Sequence, residues 1–236
     1  MDSLLPLWPL VLVPLIITAL TVPLVKRVAQ QYNLIDDPES GTHKSHQKPT
    51  PYGGAIAIAF GLLFTLGIVL PYLLPILQQT AIKNNIVWLL ELVLVAADFV
   101  RHGTDLSLLL AGGLALLLLG LIDDWRGLPP LPRFLAQLLI ITAVVAAIPT
   151  CRLVLFPDFP YLNMVLTILW LGTMTNAFNF LDNMDGLSAG IAAIALIFMA
   201  FMALLIKNFA VATLCLGLFG AVCGFLIYNL YPATIF

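Results

Sequence analysis

The chain has 236 residues, 61% of them apolar and 9% charged, where a soluble domain carries about 45–50% and about 25%, so a water-soluble globule is excluded. Ten Lys+Arg against twelve Asp+Glu give a net charge of −2, which leaves no basic surface to hold a nucleic-acid backbone through counterion release; nucleic acid is not an expected partner. The three cysteines, Cys151, Cys215 and Cys223, build neither a disulfide framework nor a Cys-x-x-Cys metal motif.

Apolar runs suited to crossing a bilayer, about 17–25 residues with polar flanks counted, fall at 4–25, 55–74, 106–122, 134–148, 163–175, 187–206 and 209–228. They predict an all-α, polytopic transmembrane helix bundle of seven spans, forming a single integral membrane domain over residues 1–236. The runs at 134–148 and 163–175 reach full length only if flanking polar residues sit at the interface. Met1-Asp2-Ser3 offers no basic leader, and the first run is dotted with Pro6, Pro9, Pro14 and Pro23, so it is expected to stay attached rather than act as a cleaved signal.

The stretch 86–100 is different, because Glu91 and Asp98 lie seven apart and so on one helical face. Each acid would cost about 2.5–3.5 kcal/mol at a bilayer centre. The stretch is therefore expected to lie on the membrane or pack against the bundle, which places the loops 26–51, 123–133 and 176–186 on one side. Six of the ten basic residues (Lys26, Arg27, Lys44, Lys48, Arg126, Arg133) lie in those loops, and the positive-inside rule makes that side cytoplasmic.

Three groups of polar residues stand at these helix ends. Asp123 and Asp124 follow the third span and precede Arg126, Arg133 and Gln137; adjacent carboxylates repel and need water, a cation or a metal. Water around a helix end satisfies them too, although acids there oppose the macrodipole. Next, Asn176, Asn179, Asp182 and Asn183 recur every three or four residues, followed by Asp185-Gly186, and form a polar stripe if the helix persists. Four short Asx side chains without Lys, Glu or Arg suit a ligand site better than a solvated turn. Finally, His43-Lys44-Ser45-His46-Gln47-Lys48-Pro49-Thr50-Pro51 runs into Gly53-Gly54 at a helix start, where cations beside a helix N-terminus suit a phosphate. A topogenic loop or a contact to anionic lipid would look the same.

The combination of His46-x-x-Pro49-Thr50-Pro51-x-Gly53-Gly54, Asp123-Asp124 with Arg133, and Asn176-x-x-Asn179-x-x-Asp182-x-x-Asp185-Gly186-Leu187 resembles the polyprenyl-phosphate N-acetylhexosamine-1-phosphate transferases, glycosyltransferase family 4. The Asp182-Asn-Met-Asp-Gly form is closer to the N-acetylglucosamine-type members than to the muramoyl-pentapeptide branch. The resemblance implies transfer of N-acetylhexosamine-1-phosphate, with N-acetylglucosamine-1-phosphate expected, from a UDP-sugar to polyprenyl phosphate, leaving UMP, on the cytoplasmic side of a bacterial inner membrane. It implies Asp123 and Asp124 as catalytic carboxylates, and Lys48, His46, Arg133, Asn176, Asn179, Asp182 and Asp185 as substrate contacts. It further implies magnesium, replaceable by manganese, with Asn179 as a metal contact, and it allows a homodimer.

Two departures qualify the match. The stretch between Gly54 and Asp123 is longer than usual for the family. In the family, moreover, a segment like Asn229-Leu-Tyr-Pro232-Ala233-Thr-Ile-Phe236 is followed by Met-Gly-Asp-x-Gly-Ser, whose aspartate binds magnesium, and no such motif occurs in these residues. The expectation is an N-terminal two-thirds of a longer enzyme, inactive alone. The competing readings are an intramembrane aromatic prenyltransferase, which also holds a magnesium diphosphate on Asn and Asp clusters, and a non-enzymatic lipid-binding or carrier module. Carriers place their ionisable groups near the midplane, whereas these acids sit at helix ends.

Overall fold

The computed structural model describes residues 7–36 and 49–236; His46, Lys48 and the side chains of Trp88 and Glu91 lie outside the described residues. Seven of the described helices are long and apolar enough to cross a membrane, and each falls on one of the seven runs expected from hydropathy. Helix α1 spans Trp8–Gln31, α2 Gly54–Phe64, α3 Leu70–Lys83, α4 Val87–Arg101, α5 Gly103–Arg126, α6 Pro130–Ala147, α7 Pro160–Leu181, α8 Leu187–Leu205 and α9 Phe209–Asn229. A π-helical turn at Thr65–Val69 joins α2 to α3 into one continuous rod. Two-residue strands, β1 (Ile35–Asp36) and β2 (Thr50–Pro51), pair antiparallel.

The boundaries move outward from the apolar windows for a simple reason. Lys, Arg and Gln are good helix formers, so α1 continues through Lys26, Arg27, Gln30 and Gln31, and these two cations are helical rather than part of a loop. Likewise α7 runs on to Leu181 and carries Asn176 and Asn179 as helical residues.

The chain forms two compact units, one made of Met1–Gly103 with Asp185–Phe236 and the other of Thr104–Met184. In the first, α9 is the central helix: 61% of its apolar window is buried, against 28% or less for the other six spans. It touches α1, α2, α4 and α8. Close approach to α1 depends on Gly220 and Gly224, where a side chain would collide with the backbone carbonyls of Val11 and Leu15; small residues spaced four apart serve the same end in other membrane helix pairs. On its outer face α1 leaves Trp8, Leu12, Ile16, Leu20, Leu24 and Val28 exposed, a ridge with the four-residue spacing of a lipid-facing stripe.

Helix α4 packs into the first unit. Leu89, Leu92 and Val95 are buried with Leu10, Ala81, Ala200, Cys215 and Leu216. Its 15 residues make about 22 Å, short of a bilayer core of about 30 Å. Asp98 accepts the Ala210 N–H at 3.0 Å, while the Asn208 side chain accepts the Val211 N–H at 3.1 Å. The acid expected to be a burden thus caps α9, where the N–H groups of the first turn lack helical partners.

In the second unit α6 and α7 pack antiparallel. Gln137, Ile141 and Val145 form the buried face of α6; Asn163, Thr167 and Gly172 form that of α7. Val144 of α6 fills the space beside Gly112 of α5. The Thr150 hydroxyl donates to Asp105 at 3.1 Å, which puts the start of α5 at the same end as the α6–α7 loop.

Candidate active site

Asp123 lies in the last turn of α5, and the helix stops at Gly127, whose φ of +60° is the left-handed conformation that glycine adopts readily. Gly127 N–H bonds the Asp123 carbonyl at 2.7 Å. The Asp123 carboxylate takes the Leu128 N–H on Oδ1 at 3.0 Å and the Arg133 guanidinium on Oδ2 at 2.7 Å. Chain direction then resets at Pro129-Pro130, with Pro130 as the first residue of α6, where a missing N–H costs nothing. The unfavourable end of the dipole is offset here by a cation and by N–H donors, so Asp123 closes the α5–α6 corner as well as charging it. Asp124 is exposed beside it, and the Arg126 guanidinium stands 5.2 Å from the centre of the Trp125 ring.

One turn after Arg133, Gln137 turns into the α6–α7 interface and is only 4% exposed. Its Oε1 accepts the Asn176 side-chain N–H at 3.2 Å, and the same Asn176 nitrogen reaches the Gly172 carbonyl at 2.8 Å. Gln137 Nε2 has no partner among the described residues. Three residues expected from sequence, Asp123, Arg133 and Asn176, are therefore tied to one end of the second unit, the last of them through Gln137, to which the sequence reading gives no role. A lone amide in the apolar run of α6, four residues after Arg133, was the available signal.

Asn179 is exposed on the last turns of α7, and Asp182 follows in the turn. The Asp182 side chain stays open at the surface, yet the protein around it removes enough water to push its carboxyl up from the ordinary carboxylate value. Among the described residues no group of three His, Cys, Asp or Glu side chains is placed to hold a metal ion.

Asp185 belongs to the other unit and is engaged by the chain itself, accepting the Ala233 N–H at 2.8 Å. Next to it Gly186 donates to Asn229 Oδ1 at 3.1 Å, and Asn229 Nδ2 donates to the Ile235 carbonyl at 3.0 Å. Phe236 N–H bonds the Pro51 carbonyl at 2.9 Å, and the Phe236 carbonyl accepts Gly54 N–H at 2.7 Å. Asp185 and Asn229 thus bind the segment that follows α9 to the start of α8, and the segment's end fastens β2 to α2. The implied contacts at His46 and Lys48 fall on the stretch between β1 and β2, outside the described residues.

These features define a polytopic membrane protein that gathers carboxylates, a guanidinium and amides where its helices end. The sequence model of Glycosyl transferase family 4 matches residues 106–236, and the chain belongs to that family. It is similar to a protein of Bacillus subtilis (strain 168) named probable undecaprenyl-phosphate N-acetylglucosaminyl 1-phosphate transferase, with 28% identity over 96% of this chain and 57% of the relative. It is also similar to the phospho-N-acetylmuramoyl-pentapeptide-transferases of Bacillus cytotoxicus, at 28% identity over 82% of this chain and 57% of the relative, and of Staphylococcus epidermidis, at 26% over 66% and 56%. The chain spans a little over half the length of these curated relatives.

Proposed function

We infer that this chain serves the transfer of N-acetylglucosamine-1-phosphate from UDP-N-acetylglucosamine to polyprenyl phosphate in cell-envelope glycan synthesis, with the α5–α6 corner facing the cytoplasm of a bacterial inner membrane. The observation that carries the reading is the Asp123–Arg133 pair at 2.7 Å beside an exposed Asp124. Two anionic phosphates must be brought together in such a reaction, and positive charge must be held where they meet. Asp123 fixes one nitrogen of the Arg133 guanidinium, leaving other donors of the fork for phosphate oxygens.

An oxygen of the lipid phosphate forms a bond to the β-phosphorus of the UDP-sugar, the bond from that phosphorus to the bridging oxygen breaks, and UMP leaves with the electron pair. A phosphate monoester has a second pKa near ~6, so only a weak base is needed; Asp124, open to solvent, is the carboxylate placed to take a remaining proton and Asp123 the one that orients. Asn176, Asn179 and Asp182 are assigned to the nucleotide-sugar. Magnesium, or manganese in its place, is the proposed cofactor with Asn179 as a contact. The described residues do not by themselves make up a site for it.

The test is binding by the detergent-solubilised chain, with and without magnesium. UDP-N-acetylglucosamine and a polyprenyl phosphate should each raise its melting midpoint, UDP-glucose should do so less, and Arg133→Ala should weaken the response to both. A chain that responds to neither compound overturns the reading, and a response to an aromatic acid with a prenyl diphosphate would favour the prenyltransferase alternative.

A further inference from the structure

The loop joining α6 to α7, at the end of the second unit away from Asp123 and Asn176, has its backbone bonded by side chains of α7 and bonds the end of α6 in turn. Asn163 of α7, buried, accepts the N–H groups of Leu155 and Phe156 on Oδ1 at 3.2 and 3.0 Å and donates to the Phe156 carbonyl at 2.8 Å. Thr167, also buried, accepts the Leu153 N–H at 2.9 Å. Arg152 turns its guanidinium back onto the Val145 and Ala146 carbonyls at 2.9 and 3.0 Å, which satisfies the last turn of α6. Water would perform these services for a loop that stood in water, and would not require two buried polar side chains in a helix of membrane length.

The outward surface of the same loop is hydrocarbon. Val154, Leu155, Phe156, Phe159 and Tyr161 are all exposed, and Asp158 is the exposed acid among them. Backbone polar groups satisfied inside the protein are the condition for entering an apolar phase. The loop connects two helices long enough to span, so its position is the membrane boundary, where aromatic side chains with one polar end concentrate.

We propose that residues 153–162 form a foot that sits in the bilayer interface on the side opposite the α5–α6 corner, with Val154, Phe156 and Phe159 among the acyl chains near the glycerol level. Asp158 limits the depth, because an ionised carboxylate is driven back towards the headgroups. The occupant of this surface is lipid, and the inference does not depend on the transferase reading.

The experiment places single cysteines at Val154 and Phe156, on a chain whose Cys151, Cys215 and Cys223 are replaced by alanine, and labels them with bimane in phosphatidylcholine vesicles. Neither side chain donates or accepts a hydrogen bond, and Val154→Cys is a small change that guards against misfolding. A label at Leu20, on the outer ridge of α1, serves as the acyl-chain reference, and a soluble bimane–cysteine adduct as the water reference. Bromine on the acyl chain near the glycerol should quench both loop labels by about twofold or more, as expected for groups about 5–10 Å into the boundary, and bromine at mid-chain should quench them less. Aqueous iodide should quench them far less than the soluble adduct. Iodide quenching equal to the adduct's would show a loop standing in water and overturn the proposal. Quenching by neither agent would show a surface covered by protein, with the same consequence.

Discussion

The Asn176 amide of α7 and the Gln137 amide of α6 meet at 3.2 Å across the interface of the two helices, and the two residues are unequal partners. Asn176 keeps a second acceptor in the Gly172 carbonyl at 2.8 Å, whereas Gln137 Nε2 is buried without a partner among the described residues. Reversing the Gln137 amide would set two nitrogens against each other, so the mismatch is built in. Gln137→Leu is expected to change stability by less than about 1 kcal/mol, because it removes an unpaired donor along with the bond, while Asn176→Leu should cost about 1–3 kcal/mol by stripping Gln137 of the partner it has among the described residues. Chemical unfolding of the two variants checks the order; a larger loss for Gln137→Leu would contradict it.

Arg133 and Asp123 are partly exposed, at 38% and 19%, so their pairing contributes only about 1 kcal/mol or less to stability. Arg133→Lys keeps the charge but loses the planar fork. Little change in melting temperature is expected, with at least a tenfold loss of affinity for polyprenyl phosphate, since about 1.4 kcal/mol of charge-assisted bonding corresponds to that factor. Equal affinity in the two proteins would remove Arg133 from the phosphate site.

Burial by surrounding protein raises the Asp182 carboxyl above its ordinary value. The folded chain then holds that proton more tightly than the unfolded chain, and unfolding releases it over the interval between the two pKa values. Stability from this group is therefore greatest below the ordinary carboxylate range and falls as pH rises through the raised value. Asp182→Asn should flatten this part of the pH profile and melt at the same or a slightly higher temperature near neutrality, while binding UDP-N-acetylglucosamine less well. Melting midpoints from about pH 3 to about pH 7, which bracket the ordinary carboxylate range, provide the check, and a variant that melts lower throughout would refute it.

Loss of a helix cap should be felt at long range in sequence. Asp98→Ala removes the acceptor for Ala210 N–H, 112 residues away, and should lower stability by about 0.5–2 kcal/mol, with Asp98→Asn recovering most of it. Amide exchange at the first turn of α9 is the specific readout, because the variant should speed it there more than in α6 or α7.

Hydropathy located every span because the apolar runs are long, and Pro130, Pro160 and Gly127 mark helix ends through chemistry that acts within a few residues. The partners of the polar side chains were legible to different degrees. Arg133 sits ten residues from Asp123, and both were marked as functional without being paired. From sequence Asp98 is only a charge to be kept out of the bilayer, because nothing near it in the chain shows that α9 begins beside it. The motif marks Asp185 as a candidate substrate contact, and its bond to Ala233 depends on how α9 returns and so is invisible to local pattern. The role of Gln137 is hidden for the same reason, since its partner lies 39 residues on.

The first compact unit is interrupted in the chain by the whole of the second, and its central helix, α9, follows the other eight described helices in the chain. A ribosome moving at about 5–20 residues per second needs roughly 5–20 s to travel the hundred or so residues from the end of α4 to α9. During that interval α1 to α4 stand in the membrane without the helix that α1, α2 and α4 pack against, and the carbonyls of Val11 and Leu15 lack the glycines that fit them. The α5–α7 unit, continuous in sequence and closed by its own Asp123–Arg133 and Gln137–Asn176 bonds, is complete before then. Biogenesis is accordingly expected to proceed from the inserted unit outward: the α5–α6 corner forms first, and the first unit locks only when α9 leaves the translocon.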